Sequence, residues 1–318
     1  MAANDPGYQY QSIFSPSTRA ERVQNFVSYW HFCQNHAGDL LEAEQDLTKK
    51  QATLRCFQAH PVRARRPLPT PEAFYRNYVH CQDALATLDR KTLLLTAIYK
   101  VARHEWVGIT GAWEITPPFD DAQAVVTKIC RYHLAEEFCH VRLFQEMFRT
   151  LHLDRVHWVP LSPWMQRVYR IFPRLPGTVM DPPAFVSELM GLMFYRAVDA
   201  LLDEVFADEP EACQRVRALL HEITVDELAH VGQRRNFLGP RGVQAAVWLV
   251  RPMFRAFFRA IPESPYLFDV DQMIHDALAF NYRDMAPALL QRSWVPTYCQ
   301  PLAPGASPQH GLPAVPQP

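Results

Sequence analysis

Apolar positions recur at intervals of three and four along most of the chain, the period of a helix that buries one face. Val23, Phe26, Val27 and Trp30 set the pattern just after Thr18 and Glu21, which have the spacing of a capping box. The same pattern predicts further helices over roughly 38–58, 71–88, 90–112, 120–151, 183–207, 210–237, 241–261 and 267–290, each boundary good to about 2–4 residues. Alternating stretches are scarcely visible, so the expected fold class is all-α. Proline concentrates in connections such as "RRPLPTP", "ITPPFDD" and "VMDPPAF", where its fixed φ stops one helix and starts the next. From Pro296 onward the last 23 residues hold seven Pro with Gly and Ser. That composition buries no core, which predicts one all-α domain over 1–295 and a flexible Pro-rich tail over 296–318.

Charge and cysteine usage narrow the function classes. Thirty-two Lys and Arg against 33 Asp and Glu give a net charge of -1, which leaves no broad electrostatic footprint for nucleic acid. The seven Cys form no CxxC pair, and their odd number suits reduced thiols in a cytoplasmic protein. The opening "MAANDPGYQYQSIF" lacks a basic region followed by an apolar run, and no uninterrupted transmembrane span follows, so neither a secretory signal nor a membrane protein is expected.

The chemistry lies in a motif that occurs twice. "YHLAEEFCHVRLFQ" places Glu137 three residues before His140, and "HEITVDELAHVGQRR" places Glu227 three residues before His230. Residues three apart share one helical face, so each pair can present a carboxylate oxygen and an imidazole nitrogen to one metal ion. A lone pair of this kind is usually an ordinary hydrogen bond on a solvated face; two copies on long helices are stronger evidence when neighbouring helices add carboxylates. Glu188 is the only acid before Asp199 in "FVSELMGLMFYRAVDALL", and an unpaired charge among those apolar residues is costly. Glu105, followed by Trp106 and Val107, is the equivalent in the first half; the adjacent His104 is turned about 100° away.

The set Glu105, Glu137, His140, Glu188, Glu227 and His230 resembles that of the ferritin-like di-iron carboxylate proteins, over about residues 90–237. Length and added helices at both ends look most like the p-aminobenzoate N-oxygenase group. The resemblance implies a four-helix bundle holding two Fe, with Mn/Fe as the other metal pair. It also implies reductive activation of O2 and oxygenation of a small organic substrate, by N-oxygenation of an amine or C-hydroxylation. All six residues are then both metal ligands and catalytic residues. Electrons come from an external donor, since no GxGxxG fingerprint for a flavin or nicotinamide is present. The substrate is free or bound to a carrier protein, and a homodimer is left open. Glu136 and Asp226, each just before a motif glutamate, are candidates to accept hydrogen bonds from the ligand histidines.

The sequence departs from that group at one ligand. An additional histidine expected four residues before the second motif's Glu is Ile223 here, whereas His133 lies four residues before Glu137. His133 is therefore either an extra ligand or a hydrogen-bonded core histidine. Phe144 stands where a ribonucleotide reductase small subunit has its radical-forming tyrosine, which argues against that role. Two other readings stay open: a soluble acyl desaturase-like di-iron oxidase, and an iron-binding or oxidant-scavenging ferritin-like protein. Phe138, Phe144, Phe185, Met190, Met193 and Phe194 read by default as core. Arg251, Arg255 and Arg259 read by default as a solvated stripe pairing with nearby acids.

Overall fold

The computed structural model describes residues 12–66 and 68–300. The fold is all-α apart from one short hairpin. In order come α1 (Arg19–Ala37), β1 (Leu40–Leu41), β2 (Asp46–Leu47), α2 (Thr48–Ala59), α3 (Pro71–Asn77), α4 (Arg90–Trp113) and α5 (Val125–Thr150). There follow α6 (Pro163–Ile171), α7 (Gly177–Val205), α8 (Pro210–Asn236), α9 (Pro240–Arg259), α10 (Ser264–Leu267), α11 (Val270–Leu278) and α12 (Pro287–Arg292). The strands pair antiparallel, Leu40 against Leu47.

Four long helices form the centre: α4 packs on α5, α5 on α8, α8 on α7, and α7 meets α4. Their facing stripes supply much of the main core, including Leu94, Ile98, Phe144, Phe148, Phe185, Leu189, Phe194, Leu220 and Leu228, all essentially inaccessible. Burial of each such side chain contributes about 1.5–3 kcal/mol, so these stripes fix how the four helices face one another. The residues proposed as a plain apolar stripe are indeed core: Phe144, Phe185, Met190, Met193 and Phe194 lie in the main cluster, and Phe138 packs in a smaller one with Leu134 and Val141. No described helix is long and apolar enough to cross a membrane.

Several elements differ from the periodicity, each for a local reason. The expected helix over 38–58 begins only at Thr48, because Gly38 turns the chain with φ 79 and a hairpin intervenes. That hairpin is anchored to α5: Arg142 Nη2 donates to the Glu44 carbonyl at 2.7 Å, and the Arg131 guanidinium pairs with Glu42. The expected helix over 71–88 stops at Asn77, whose amide donates to the Ala73 carbonyl while its Oδ1 accepts from the amides of Gln82 and Asp83. Such side-chain bonds compete with the helical ladder. Likewise the segment over 267–290 is broken, since Phe268 is extended and Asp269 starts α11 anew by accepting from the Gln272 amide. In the other direction α7 runs back to Gly177 and carries Pro182 and Pro183 in its second turn. Helix α6, capped by Ser162, lies where the periodicity predicts no helix. On α9 all three stripe arginines are exposed, and Arg255 pairs with Asp271 at 2.9 Å.

The tail boundary also moves. Residues 301–318 lie outside the described part, but Tyr298 and Cys299 belong to the main core and Tyr298 donates to Asn236 Oδ1 at 2.8 Å. Domain packing therefore continues past 296, because two side chains in the stretch are large or apolar enough to bury. Pro296 sits against Gly232 on α8, two residues beyond His230. A Cβ there would come within 2.7 Å of Pro296 Cδ and 2.8 Å of the Tyr282 hydroxyl. Neither neighbour can yield easily: the proline ring is rigid, and Tyr282 donates to the Leu228 carbonyl. Gly232→Val is accordingly expected to cost roughly 1–3 kcal/mol by overpacking, measured by denaturant unfolding; an unchanged midpoint would show that this segment does not seal α8.

Candidate metal site

The two motifs meet face to face across the contact between α5 and α8. Glu137 and His140 project from one helix, Glu227 and His230 from the other, and all four are buried. Each histidine reaches across to the opposite helix. His140 Nε2 pairs with Asp226 Oδ2 at 3.1 Å on α8, and His230 Nε2 pairs with Glu136 Oε2 at 2.9 Å on α5. Both rings are thereby oriented by their outer nitrogens, leaving the inner ones to face the acids. His140 Nδ1 lies 3.4 Å from Glu137 Oε2 and 3.3 Å from Glu227 Oε1, while His230 Nδ1 lies 3.0 Å from Glu137 Oε1. Neither inner nitrogen is aligned for a hydrogen bond despite complete burial. Buried polar atoms are normally satisfied, so two in one cluster call for a partner that is not a protein hydrogen-bonding group.

His133 joins this cluster. Its Nε2 is 3.2 Å from Glu188 Oε1 on α7 and 3.6 Å from Glu137 Oε1. Its ring also lies 4.0 Å from that of His230, centroid to centroid. The donors fall into two sets, each compact enough to hold a metal ion: His133, Glu137, Glu188 and His230 in the first, Glu137, His140 and Glu227 in the second. Glu137 alone belongs to both. The position four residues before Glu227, Ile223, is buried in the apolar core.

Glu105 stands outside both sets. The Tyr195 hydroxyl donates to its Oε1, and its Oε2 is buried without a hydrogen-bond partner. It remains electrostatically near, because burial and the charges of Glu137 and Glu227 push its carboxyl well above the usual range. Burial, with Glu137 beside it, likewise pushes Glu227 up to about 8. Glu137 goes the other way, down to about 2: burial opposes this, but His140 and His230 on either side outweigh it. Both of those imidazoles are raised well above the ordinary value despite burial, whereas burial and the neighbouring His230 push His133 well below it. Carboxylates packed this closely hold extra protons unless another positive charge neutralises them.

Further residues complete the surroundings. Arg234 Nε is 3.3 Å from Glu188 Oε1. Lys50 donates to Asp226 Oδ1, which also lies 3.1 Å from His36 Nε2. Arg234 is four residues after His230 and Tyr195 seven after Glu188, so both were discoverable as same-face neighbours of named acids or ligands. Lys50 and His36 arrive from α2 and α1, with no sequence signal that links them to α8. His104 and His221 lie in neither set: His104 Nδ1 pairs with the Tyr169 hydroxyl at 2.9 Å, and His221 lies 3.5 Å from Asp199.

The donor chemistry is nitrogen and carboxylate oxygen without thiolate, which suits iron or manganese rather than a sulfur-preferring ion. None of the seven Cys is in either set. Comparison with family models, curated proteins and solved structures finds no match to this chain.

Proposed function

We propose that this protein is a ferritin-like di-iron oxygenase that activates O2 to oxygenate a small organic substrate. The observation that carries the reading is the pair of donor sets joined by Glu137, with the inner nitrogens of His140 and His230 buried and unbonded. His133, Glu188 and His230 would hold one iron, His140 and Glu227 the other, and Glu137 would bridge them. Glu105, which lies outside both sets and accepts from the Tyr195 hydroxyl, would be a further carboxylate beside the second. The central helices α4, α5, α7 and α8 then form the four-helix bundle that the motif order resembles.

Two ferrous ions, if bound there, would supply the reducing electrons for dioxygen activation, with an external donor needed to renew them. The chain supplies geometry and exclusion. Glu136 and Asp226 hold the histidine rings with their inner nitrogens towards the acids. Phe144 packs with a ring-centroid distance of 6.1 Å to Tyr195, the residue that donates to Glu105, and both rings are buried in the main core.

The test uses protein produced in iron-rich medium, reduced without oxygen, then exposed to O2 with an arylamine such as p-aminobenzoate. Two iron per chain, and oxygen consumption matched by an N-oxygenated product, are expected. Fewer than one metal per chain, unchanged in the Glu137→Ala/Glu227→Ala variant, sinks the di-iron reading. Iron oxidation without any product would instead assign the site to iron handling.

A further inference from the structure

The two donor sets differ in kind, and three independent contacts widen the difference. The first set has two imidazoles, His133 and His230, where the second has one, His140. Its own carboxylate, Glu188, is partly neutralised by Arg234 at 3.3 Å. Behind it Glu136 accepts from His230 and, among the described residues, forms no direct ion pair with Lys or Arg, so its carboxylate strengthens that imidazole as a donor. The second set is the reverse. Among the described residues, Glu227 and the neighbouring Glu105 pair with no arginine or lysine, and Glu105 accepts from the Tyr195 hydroxyl. Behind His140, the charge of Asp226 is shared with Lys50 and His36, which weakens its pull on the imidazole.

We infer that the two metal positions are inequivalent in metal preference. The position built on His133 and His230 selects ions that favour imidazole, and the position built on His140 and Glu227, with one imidazole for its two carboxylates, selects ions that favour carboxylate. The physical ground is donor type: imidazole suits zinc, copper and iron, while carboxylate-rich surroundings suit manganese and magnesium. This rests on the dinuclear reading above, and His133 is the specificity-determining residue.

Zinc and manganese are suitable probes, because both are redox-inert as divalent ions in air on the time of a titration and their X-ray absorption edges are well separated. The full chain is stripped with chelator, given an equimolar mixture of the two ions below saturation, and crystallised. Anomalous scattering then gives the zinc-to-manganese ratio at each position. The ratio is expected to be at least about tenfold higher at the His133 position, the lower end of what ligand surroundings contribute to affinity. Equal ratios, or a higher one at the Glu227 position, overturn the inference while leaving a dinuclear site standing. Metal at neither position overturns the dinuclear reading itself. In His133→Gln the two ratios are expected to converge; a preserved difference refutes the assignment to His133. Should that variant fail to fold, Arg234→Gln serves, since releasing Glu188 from its cation is expected to raise the manganese share at the first position alone, and no change there counts against the inference.

Discussion

Glu137→Ala is expected to empty both metal positions at once, whereas Glu188→Ala is expected to weaken only one. Glu137 is the single residue common to the two donor sets: Oε1 faces His230 and His133, and Oε2 faces His140. Its loss removes one ligand from each position and also the charge that holds the two imidazole-bearing helices together. Partners that merely orient a ligand contribute about 10–100-fold to metal affinity, so loss of the bridging ligand should exceed that at both positions. Equilibrium dialysis against Mn(II), followed by elemental analysis, reads the outcome directly. Wild-type protein should bind two ions per chain, Glu188→Ala one tightly, and Glu137→Ala none tightly. Circular dichroism must show the helices intact, and Glu137→Gln, which keeps volume and removes the charge, provides the check. Two tightly bound ions in Glu137→Ala would mean that the ions sit elsewhere.

How much of this was legible in the sequence depends on whether a residue's partner lies on its own helix. The spacing that puts Glu137 beside His140, and Glu227 beside His230, is a property of a single helix, and periodicity reveals it. The crossed pairing of Glu136 with His230 and of Asp226 with His140 is not. Position before each glutamate marked these two acids as neighbours of the site, but only the packing of α5 on α8 decides which histidine each meets. Glu105 shows the limit from the other side: its place in an apolar stretch marked it as an acid needing a partner, and the structure gives it Tyr195 with one oxygen unpaired. The sequence leaves His133 open between ligand and core residue, because its approach to Glu188 depends on the rotation of α7, which no local pattern encodes. The element errors have the same origin. Helical periodicity over 38–58 and 71–88 was overridden where Gly38 and Asn77 offered the backbone a turn that tertiary contacts could hold.

Removing the metal is expected to lower stability more than any core substitution proposed above. An ion present at a thousand times its Kd stabilises the folded chain by about 4 kcal/mol for each independent position, provided that the unfolded chain does not bind it. Here the metal-free site has a specific burden that the ions would relieve. Glu105, Glu137 and Glu227 share one buried region, and the rise of Glu227 to about 8 and of Glu105 well above its usual range records how strongly burial and mutual repulsion disfavour their ionised forms. Chelator-dialysed protein should therefore melt at a distinctly lower temperature than protein in Mn(II), and restoring the ion should restore the transition. The bridging residue separates this effect from general binding to surface acids. In Glu137→Ala the melting temperature should be nearly the same with and without Mn(II); a rise equal to that of the unmodified chain would place the stabilising ions outside the site. The same comparison ties structure to chemistry, because the buried carboxylates that a bound cation would neutralise are those proposed to bind the iron pair.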